Sequence, residues 1–352
     1  MNNEAFYAGK RVLVTGGLGF IGSNLTERLV LAGAKVTVID SMLPGCGANR
    51  FNLANCVRRV AVIESDIGDT ASFEAALLDT AVIFNLAGEI SHSRSMSDPE
   101  RDLNLNTVSQ LRFLLACGRL CPGARVVYGG TRQVYGKPDY LPVDENHPIQ
   151  PVDFNGIHKY AATQYHLLMT RRGELDCVVL RLSNVYGPRM AISLPQQGFL
   201  GVYMRRVLRG EPLTVYGDGA QLRDPAHVDD VVDAFLAAGA APALRSRTFN
   251  VGGPDALSLA AIAEIMSREG GCGDVRRVPF PEHLSAIDIG SFVSDSSRLG
   301  RELGVIPRIG FTEGVRATLA YYRQHGPHYG EPESLGSGVT EHLRLLAAVA
   351  VP

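Results

Sequence analysis

Nowhere in the 352 residues is there an apolar run long enough to cross a membrane. The first ten residues, MNNEAFYAGK, lack the apolar core of a secretory signal, so a cytoplasmic chain is expected. An excess of either charge is also missing. With 34 Lys and Arg against 36 Asp and Glu, the net charge of −2 gives no electrostatic reason to expect nucleic acid or an anionic membrane as partner. Cysteine is sparse, at six residues. Cys117 and Cys121 stand one helical turn apart, but no second pair accompanies them, so reduced core thiols are expected and a metal site is not. No internal repeat is visible. What remains is 45% hydrophobic and 20% charged, a globular composition long enough for one large or two ordinary domains.

The most informative stretch is Lys10–Asp40, KRVLVTGGLGFIGSNLTERLVLAGAKVTVID. Val12–Thr15 is apolar and β-branched, as a strand buried on both faces should be. Gly16, Gly19 and Gly22 follow with G-x-x-G-x-x-G spacing and open an amphipathic segment, Phe20–Ala32. Gly33 is placed as its C-cap, and a second strand, Val36–Ile39, ends on Asp40. Such glycines allow a tight turn and let backbone N–H groups approach a pyrophosphate resting on the positive end of the helix. Asp40 can accept hydrogen bonds from both adenosine ribose hydroxyls, which favours NAD over NADP. A lone glycine pattern is weak; strands on both sides and the acid at this distance strengthen it.

Downstream, strands are expected at Val60–Glu64, Ala81–Leu86, Arg125–Tyr128 and Cys177–Leu182. Helices are expected over Thr70–Leu78 (with a Thr cap), from Asp98–Pro99 through about Gly118, and over Asn155–Arg172. Ser41–Asn55 reads as a surface loop near the adenosine end, and Asp66, beside Ile67, can reach an adenine amino group. Strand–helix alternation of this kind implies an α/β fold with a doubly wound parallel sheet of Rossmann type, whose ligands bind at the carboxyl ends of the strands. From Gly187 the elements shorten. A helix at Phe199–Leu208, strands at Leu213–Tyr216 and Thr248–Val251 (the latter rejoining the sheet), and helices at His227–Ala238, Leu257–Glu269 and Phe311–Arg323 complete the pattern. Residues 1–186 plus 225–252 are thus assigned to the dinucleotide-binding domain, and 187–224 plus 253–330 to a smaller discontinuous substrate lobe. Residues 331–352 form a C-terminal extension with a short apolar helix candidate, Glu341–Val349, and no evident role.

With these motifs in place the chain, from about Arg11 to Arg323, resembles the extended short-chain dehydrogenase/reductase family, the NAD-dependent sugar-nucleotide epimerases and dehydratases. TGGLGFIGS matches the family's cofactor turn, which assigns Gly16, Gly19, Phe20, Ile21 and Gly22 to NAD. Asn85-Leu86-Ala87-Gly88 stands where relatives have His-Leu-Ala-Ala beside the nicotinamide ribose. Ser95-Met96-Ser97-Asp98-Pro99 fits the S-x-x-x-P of the next loop, and Asn104 fits an Asn that steadies the active-site strand. Thr131-Arg132-Gln133-Val134-Tyr135-Gly136 matches the segment bearing the active-site hydroxyl, here Thr131. Arg181 to Arg189 resembles R-x-x-N-x-Y-G-P-R, whose Asn (Asn184) touches a substrate diphosphate. Tyr216-Gly217-Asp218-Gly219 with Arg223-Asp224 and Val228-Asp229-Asp230 resembles a run whose Arg (Arg223) binds the same group.

One departure matters. The family's catalytic pair is Tyr-x-x-x-Lys; Lys159 is present, but the Tyr position is Asn155. In the family's mechanism the phenol takes a proton from a sugar hydroxyl as hydride leaves for the nicotinamide. An amide can only donate or accept hydrogen bonds, and losing a general base typically costs ~10²–10⁴ in rate. Lys159 can still hold the nicotinamide ribose. Glu89 and His92, after the strand that faces the nicotinamide in this fold, are the leading substitutes for the base, ahead of His158 and Tyr135. Thr131 is kept as a partner of the reacting oxygen. Dehydratases of the family usually follow their Thr with Asp-Glu; Arg132 and Gln133 here accept no proton, which disfavours a standard 4,6-dehydratase. Arg132 and Arg94 can instead pair with a carboxylate or phosphate on the substrate. Three readings follow: an NAD-dependent nucleotide-sugar epimerase, a nucleotide-sugar dehydratase or lyase with a rearranged acid–base set, and a non-catalytic protein binding NAD and ligand. The resemblance also implies a homodimer through Asp102–Gly118 and Gly156–Arg172. Leu111, Leu167 and Leu168 are placed either outward or against the sheet.

Overall fold

The computed structural model describes residues 3–330, apart from 195–197, 273 and 283–286; the helix candidate Glu341–Val349 lies outside the described residues. Seven strands form one sheet: β1 (Arg11–Thr15), β2 (Lys35–Asp40), β3 (Val60–Glu64), β4 (Val82–Asn85), β5 (Arg125–Thr131), β6 (Asp176–Leu182) and β7 (Thr248–Val251). Their order is β7-β6-β5-β4-β1-β2-β3. Every pairing is parallel. β7 rejoins the sheet beside β6, as expected of it from the sequence.

Side chains alternate across a strand, so a strand buried on both faces feeds two cores. Val12 and Val14 of β1, Val36 and Val38 of β2, Val82 and Phe84 of β4, and Val178 and Leu180 of β6 all enter one core. It is covered by α1 (Phe20–Leu31) and by the helix Val228–Ala240, and its centre holds Leu25, Leu29 and Phe235. Leu13, Ile39, Ile83, Val126 and Cys177, the intervening residues, enter the other core with Phe113, Leu114 and Met169. Cys117 and Cys121 are buried free thiols of that second core.

The helical segments past β4 depart from the sequence expectation. The run from Pro99 is a short helix (Pro99–Leu103), a π-turn (Asn104–Val108) and then a regular helix (Ser109–Leu120). Asp98 caps it by accepting from the Arg101 N–H at 3.2 Å. The segment just before Asp98 is helical too. We label this His92–Ser97 helix α2, the Ser109–Leu120 helix α3, and α4 is Phe154–Arg171. Thr70 opens a 3₁₀ turn (Thr70–Phe73) that has no side-chain cap, and Ser41–Asn55 is not wholly a surface loop. Its 3₁₀ turn Arg50–Leu53 buries Asn52 and Leu53, and Phe51 stacks on His328 with ring centroids 3.6 Å apart.

The Val228–Ala240 helix, α6, stays with the sheet, and the lobe forms around α5 (Phe199–Leu208), α7 (Leu259–Gly270) and α8 (Phe311–His325). Leu200, Tyr203, Met204 and Val207 recur at helical spacing and pack against Ile262 and Met266 of α7 and Val315 and Leu319 of α8. Strands Leu213–Tyr216 and Val275–Val278 pair parallel beneath them. The helix Ser297–Leu303, within the segment assigned to the lobe, instead sets Leu299 in the core of the main sheet.

A polar row crosses the middle of the sheet. Thr15 Oγ1 donates to Asn85 Oδ1 at 2.8 Å, and Asn85 Nδ2 donates to Gln110 Oε1 at 2.7 Å and meets His166 Nε2 at 3.1 Å. His166 has no exposed surface, and burial lowers its pKa from 6.5 to about 4. Because the unfolded chain takes up a proton that the folded one refuses, this group's contribution is complete above pH 6.5 and is lost as pH falls toward 4. The difference amounts to about 3 kcal/mol. Urea unfolding at pH 7 and pH 4.5 is expected to show a steeper acid loss in the wild type than in His166→Gln.

Candidate active site

The carboxyl ends of β1, β2, β4 and β5 open into a cleft of about 450 Å³, closed on its far side by Asn184, Met190, Phe199 and Arg223. The sheet changes winding direction between β1 and β4, and a crevice forms where neighbouring connections leave on opposite faces.

At the cofactor end the glycine turn is demanded sterically. Gly16 has φ +68°, and a Cβ on Gly22 would lie 2.2 Å from the Gly16 carbonyl oxygen. Only glycine lets α1 start this close to β1. Gly16, Gly19, Phe20, Ile21 and Gly22 line the cleft, as do Asp40, Asp66, Ile67, Leu86, Ala87 and Gly88. Asp40 accepts from Leu18 N–H at 3.0 Å and Met42 N–H at 2.9 Å, one on each oxygen. Each oxygen keeps a lone pair for a ribose hydroxyl. Burial raises the Asp40 pKa, opposed by those two N–H donors. Asp66 is held by Gly68 N–H at 2.7 Å and Ser109 Oγ at 3.1 Å. The donor set fits a dinucleotide with an unphosphorylated adenosine ribose.

Lys159 is buried, and its ammonium would lie 3.2 Å from a Cβ on Gly88, in the wall of the cleft. Burial lowers its pKa, opposed by the charges of Asp102 and Glu89. Thr131 ends β5 in the cleft, its Oγ1 accepting from Gln133 N–H at 3.2 Å. Asn155, one turn before Lys159, also reaches the cleft wall but is committed elsewhere. Its Nδ2 donates to the Glu89 carbonyl at 3.0 Å and to Asp102 Oδ2 at 2.9 Å. Both partners can only accept, so the amide orientation is fixed by chemistry. Asp102 Oδ1 takes His158 Nδ1 at 2.7 Å, and His158 does not line the cleft, which removes it from the candidate bases. Tyr135 is likewise engaged, donating to Asn250 Oδ1 at 2.7 Å.

Three expected site residues are placed differently. Glu89 is 1% exposed and off the cleft, salt-bridged to Arg101 at 2.7 Å and Arg94 at 3.2 Å. Burial alone would raise its pKa, but the Arg101 hydrogen bond and the N–H groups of Ile90 and Ser91 hold it low. A carboxylate so occupied anchors the loop and is no base; Arg94 is spent on it as well. Ser95 is fully buried, because α2 turns it inward: its Oγ donates to the His92 carbonyl at 2.8 Å and accepts from Asn155 N–H at 3.2 Å. Asn104 is exposed on the π-turn, and it is Asn106 that holds the loop just past β4. Asn106 is buried, accepts from Glu89 N–H at 3.1 Å and donates to the Glu89 carbonyl at 3.1 Å.

His92 does line the cleft, half-exposed as the first residue of α2. Its Nδ1 lies 2.8 Å from Asp153 Oδ2, and its Nε2 lies 2.7 Å from Gln133 Nε2. A carboxylate can only accept, so Nδ1 is the nitrogen that donates to Asp153, and Nε2 is the one turned to the Gln133 amide. Asp153 is also the N-cap of α4, its Oδ1 accepting from Gly156 N–H at 2.7 Å. Burial would raise its pKa, but the His92 hydrogen bond holds it below the ordinary value. Neither Asp153 nor Gln133 is apparent from motif matching, although Asp-x-x-Gly ahead of a helix is a capping pattern that marks Asp153. On the lobe side, Asn184 Oδ1 is buried without a partner among the described residues. Arg223 reaches the cleft while donating to the Gly290 carbonyl at 2.6 Å and to Gln221 Oε1 at 3.1 Å.

Residues 12–252 match the model of the NAD dependent epimerase/dehydratase family. A UDP-glucose 4-epimerase of Mycolicibacterium smegmatis is 32% identical over 321 residues, covering 89% of this chain and 98% of the relative. A dTDP-glucose 4,6-dehydratase of an Actinoplanes species is 31% identical, with 89% and 98% covered. Among solved structures, the Thermotoga maritima UDP-glucose 4-epimerase with UDP-glucose superposes with a TM-score of 0.80 at 28% identity, covering 89% of this chain and 99% of that one. A Streptomyces venezuelae dTDP-glucose 4,6-dehydratase with NAD bound gives 0.79 at 27% identity, with 90% and 98% covered. The chain belongs to the NAD dependent epimerase/dehydratase family, as an extended short-chain dehydrogenase/reductase whose cofactor is NAD.

Proposed function

We propose that the chain is a nucleotide-sugar epimerase that transiently oxidises its sugar and restores it with inverted stereochemistry. The observation that carries this reading is the His92–Asp153 pair on the cleft wall, next to Thr131 and Gln133. It provides a base where the family's phenol is absent. NAD, when bound, supplies reversible acceptance of hydride. The chain's own residues handle the proton and the oxygen. Nε2 of His92 exchanges its Gln133 contact for the sugar hydroxyl and takes up that proton. Asp153 keeps Nδ1–H oriented and stabilises the imidazolium that results. The Thr131 hydroxyl holds the reacting oxygen, and Lys159 holds the nicotinamide ribose. Asn184 and Arg223 offer an amide and a guanidinium to the diphosphate.

An elimination needs a second proton-transfer group near the sugar's C5 and C6, and Arg132 and Gln133 supply none, so the dehydratase reading is the weaker. A homodimer fits the apolar stripe formed by Leu111 and Leu115 of α3 with Ile157 and Leu168 of α4, all exposed. Leu167 turns inward, against Tyr128 and Val179.

Incubating the NAD-loaded protein with UDP-, GDP-, CDP- and dTDP-sugars is expected to give new anomeric NMR signals of an epimer. The reduced-nicotinamide band should appear only transiently. A keto-deoxy product would move the assignment to dehydratase, and saturable binding with no chemical change would move it to a ligand-binding protein.

A further inference from the structure

Arg132 is an anomaly in the cleft. Its side chain is 6% exposed, yet Nη1 is buried with no partner, and no nitrogen of the guanidinium hydrogen-bonds to a described residue. Its plane is set by the Phe292 ring, whose centroid is 4.9 Å from Cζ. Stacking occupies a face and leaves the N–H edge, which is the part that recognises planar anions. The neighbouring acids are taken. Asp153 is shared between His92 and Gly156 N–H. Asp224 accepts from Ser183 Oγ and from Ser294 N–H. The charge that acts on it most strongly is a second cation, Arg223; burial first, then that like charge, push the Arg132 pKa down to about 9 against the opposing pull of Asp224 and Asp153. A buried cation stacked on a ring, beside another cation and short of acceptors, is an arrangement that stands well only with an anion supplied from outside.

Building on the nucleotide-sugar reading, we propose that Arg132 receives a carboxylate carried by the sugar itself, so that the substrate is a nucleotide-linked uronic acid rather than a neutral hexose. Position separates this from a second grip on the diphosphate. Arg132 directly follows Thr131 at the end of β5, and the next residue, Gln133, contacts His92, so its backbone belongs to the reacting end of the cleft. Asn184 and Arg223 approach from the lobe. The planar fork fits a carboxylate edge-on through two parallel N–H···O bonds, which a lysine cannot reproduce.

The test is calorimetric binding to NAD-loaded protein of UDP- and dTDP-linked glucose, the matching glucuronates, and bare UDP and dTDP. Wild type, Arg132→Gln and Arg132→Lys are compared, with far-UV circular dichroism to establish that each variant is folded. The expected result is a preference for the glucuronate over the glucose form of about 10²-fold, erased in Arg132→Gln and only partly kept in Arg132→Lys. Affinity for the neutral sugar and the bare diphosphate should change little. Equal wild-type affinity for both sugars overturns the proposal, and so does a variant that weakens the bare diphosphate as much as the sugars, which puts the guanidinium on phosphate. Should none of the six ligands bind while NAD does, the nucleotide-sugar reading fails first and the carboxylate assignment goes with it.

Discussion

His92→Gln is expected to lower kcat by ~10²–10⁴ while leaving NAD retention and substrate KM close to wild type. Glutamine preserves most of the volume and can still bond Asp153, but it has no basic nitrogen. Asp153 continues to cap α4 through Oδ1, so the variant should melt near the wild-type temperature. A further readout separates proton transfer from mere packing. A His92→Gly variant, with its smaller side chain, should recover activity on addition of imidazole. Wild-type turnover by His92→Gln would place the base elsewhere than on an imidazole of the cleft wall, because among the described residues His92 is the histidine that lines it.

Asp102→Ala is the variant with the largest expected effect on stability. The residue is 1% exposed and accepts from two buried donors, Asn155 Nδ2 at 2.9 Å and His158 Nδ1 at 2.7 Å. Its charge also supports the Lys159 ammonium against desolvation. Truncation strands both donors and removes a counter-charge, a loss of about 3–5 kcal/mol. Asp102→Asn restores one acceptor but turns an N–H toward a donor, and should recover only part of it. Chemical unfolding of the two variants against wild type measures both quantities. NAD should also dissociate faster from Asp102→Ala, since Lys159 then has less reason to stay protonated. A loss under about 1 kcal/mol would mean that the cluster relaxes around the hole.

How far the sequence carried these arguments depends on the residue. β1, the glycine turn, α1 and Asp40 were legible because each is set by a local rule: β-branched burial, steric closeness and strand termination. Asn104 was not. Asn104 and Asn106 stand two residues apart, about 200° around a helix, so one alone can face the strand. Nothing in Asn-Leu-Asn says which, and the π-turn beneath them changes the phase again. Glu89 and Ser95 carry the right chemistry in the right segment, yet α2 turns Ser95 inward, and Glu89, just ahead of it, is taken up by Arg94 and Arg101. His92 survives as a base candidate because it begins the helix at the open end. Arg132 is visible in the sequence as the residue after Thr131, where dehydratases of the family carry an acid. That it lacks an acceptor depends on what Asp153 and Asp224 do with theirs, which only the folded arrangement decides.

The Thr15–Asn85–Gln110–His166 row has a bearing on how the chain avoids mispairing. The flanking residues Val12, Leu13 and Val14 of β1 and Val82, Ile83 and Phe84 of β4 are all apolar, so apolar packing alone would do little to forbid a shifted alignment of the two strands. Sliding either by one residue would carry a hydroxyl and an amide into hydrocarbon with nothing to bond, at several kcal/mol. The row therefore acts as a key that admits one alignment. It does so at the strand pair whose ends frame the mouth of the dinucleotide crevice, where an offset of one residue would be most damaging to binding.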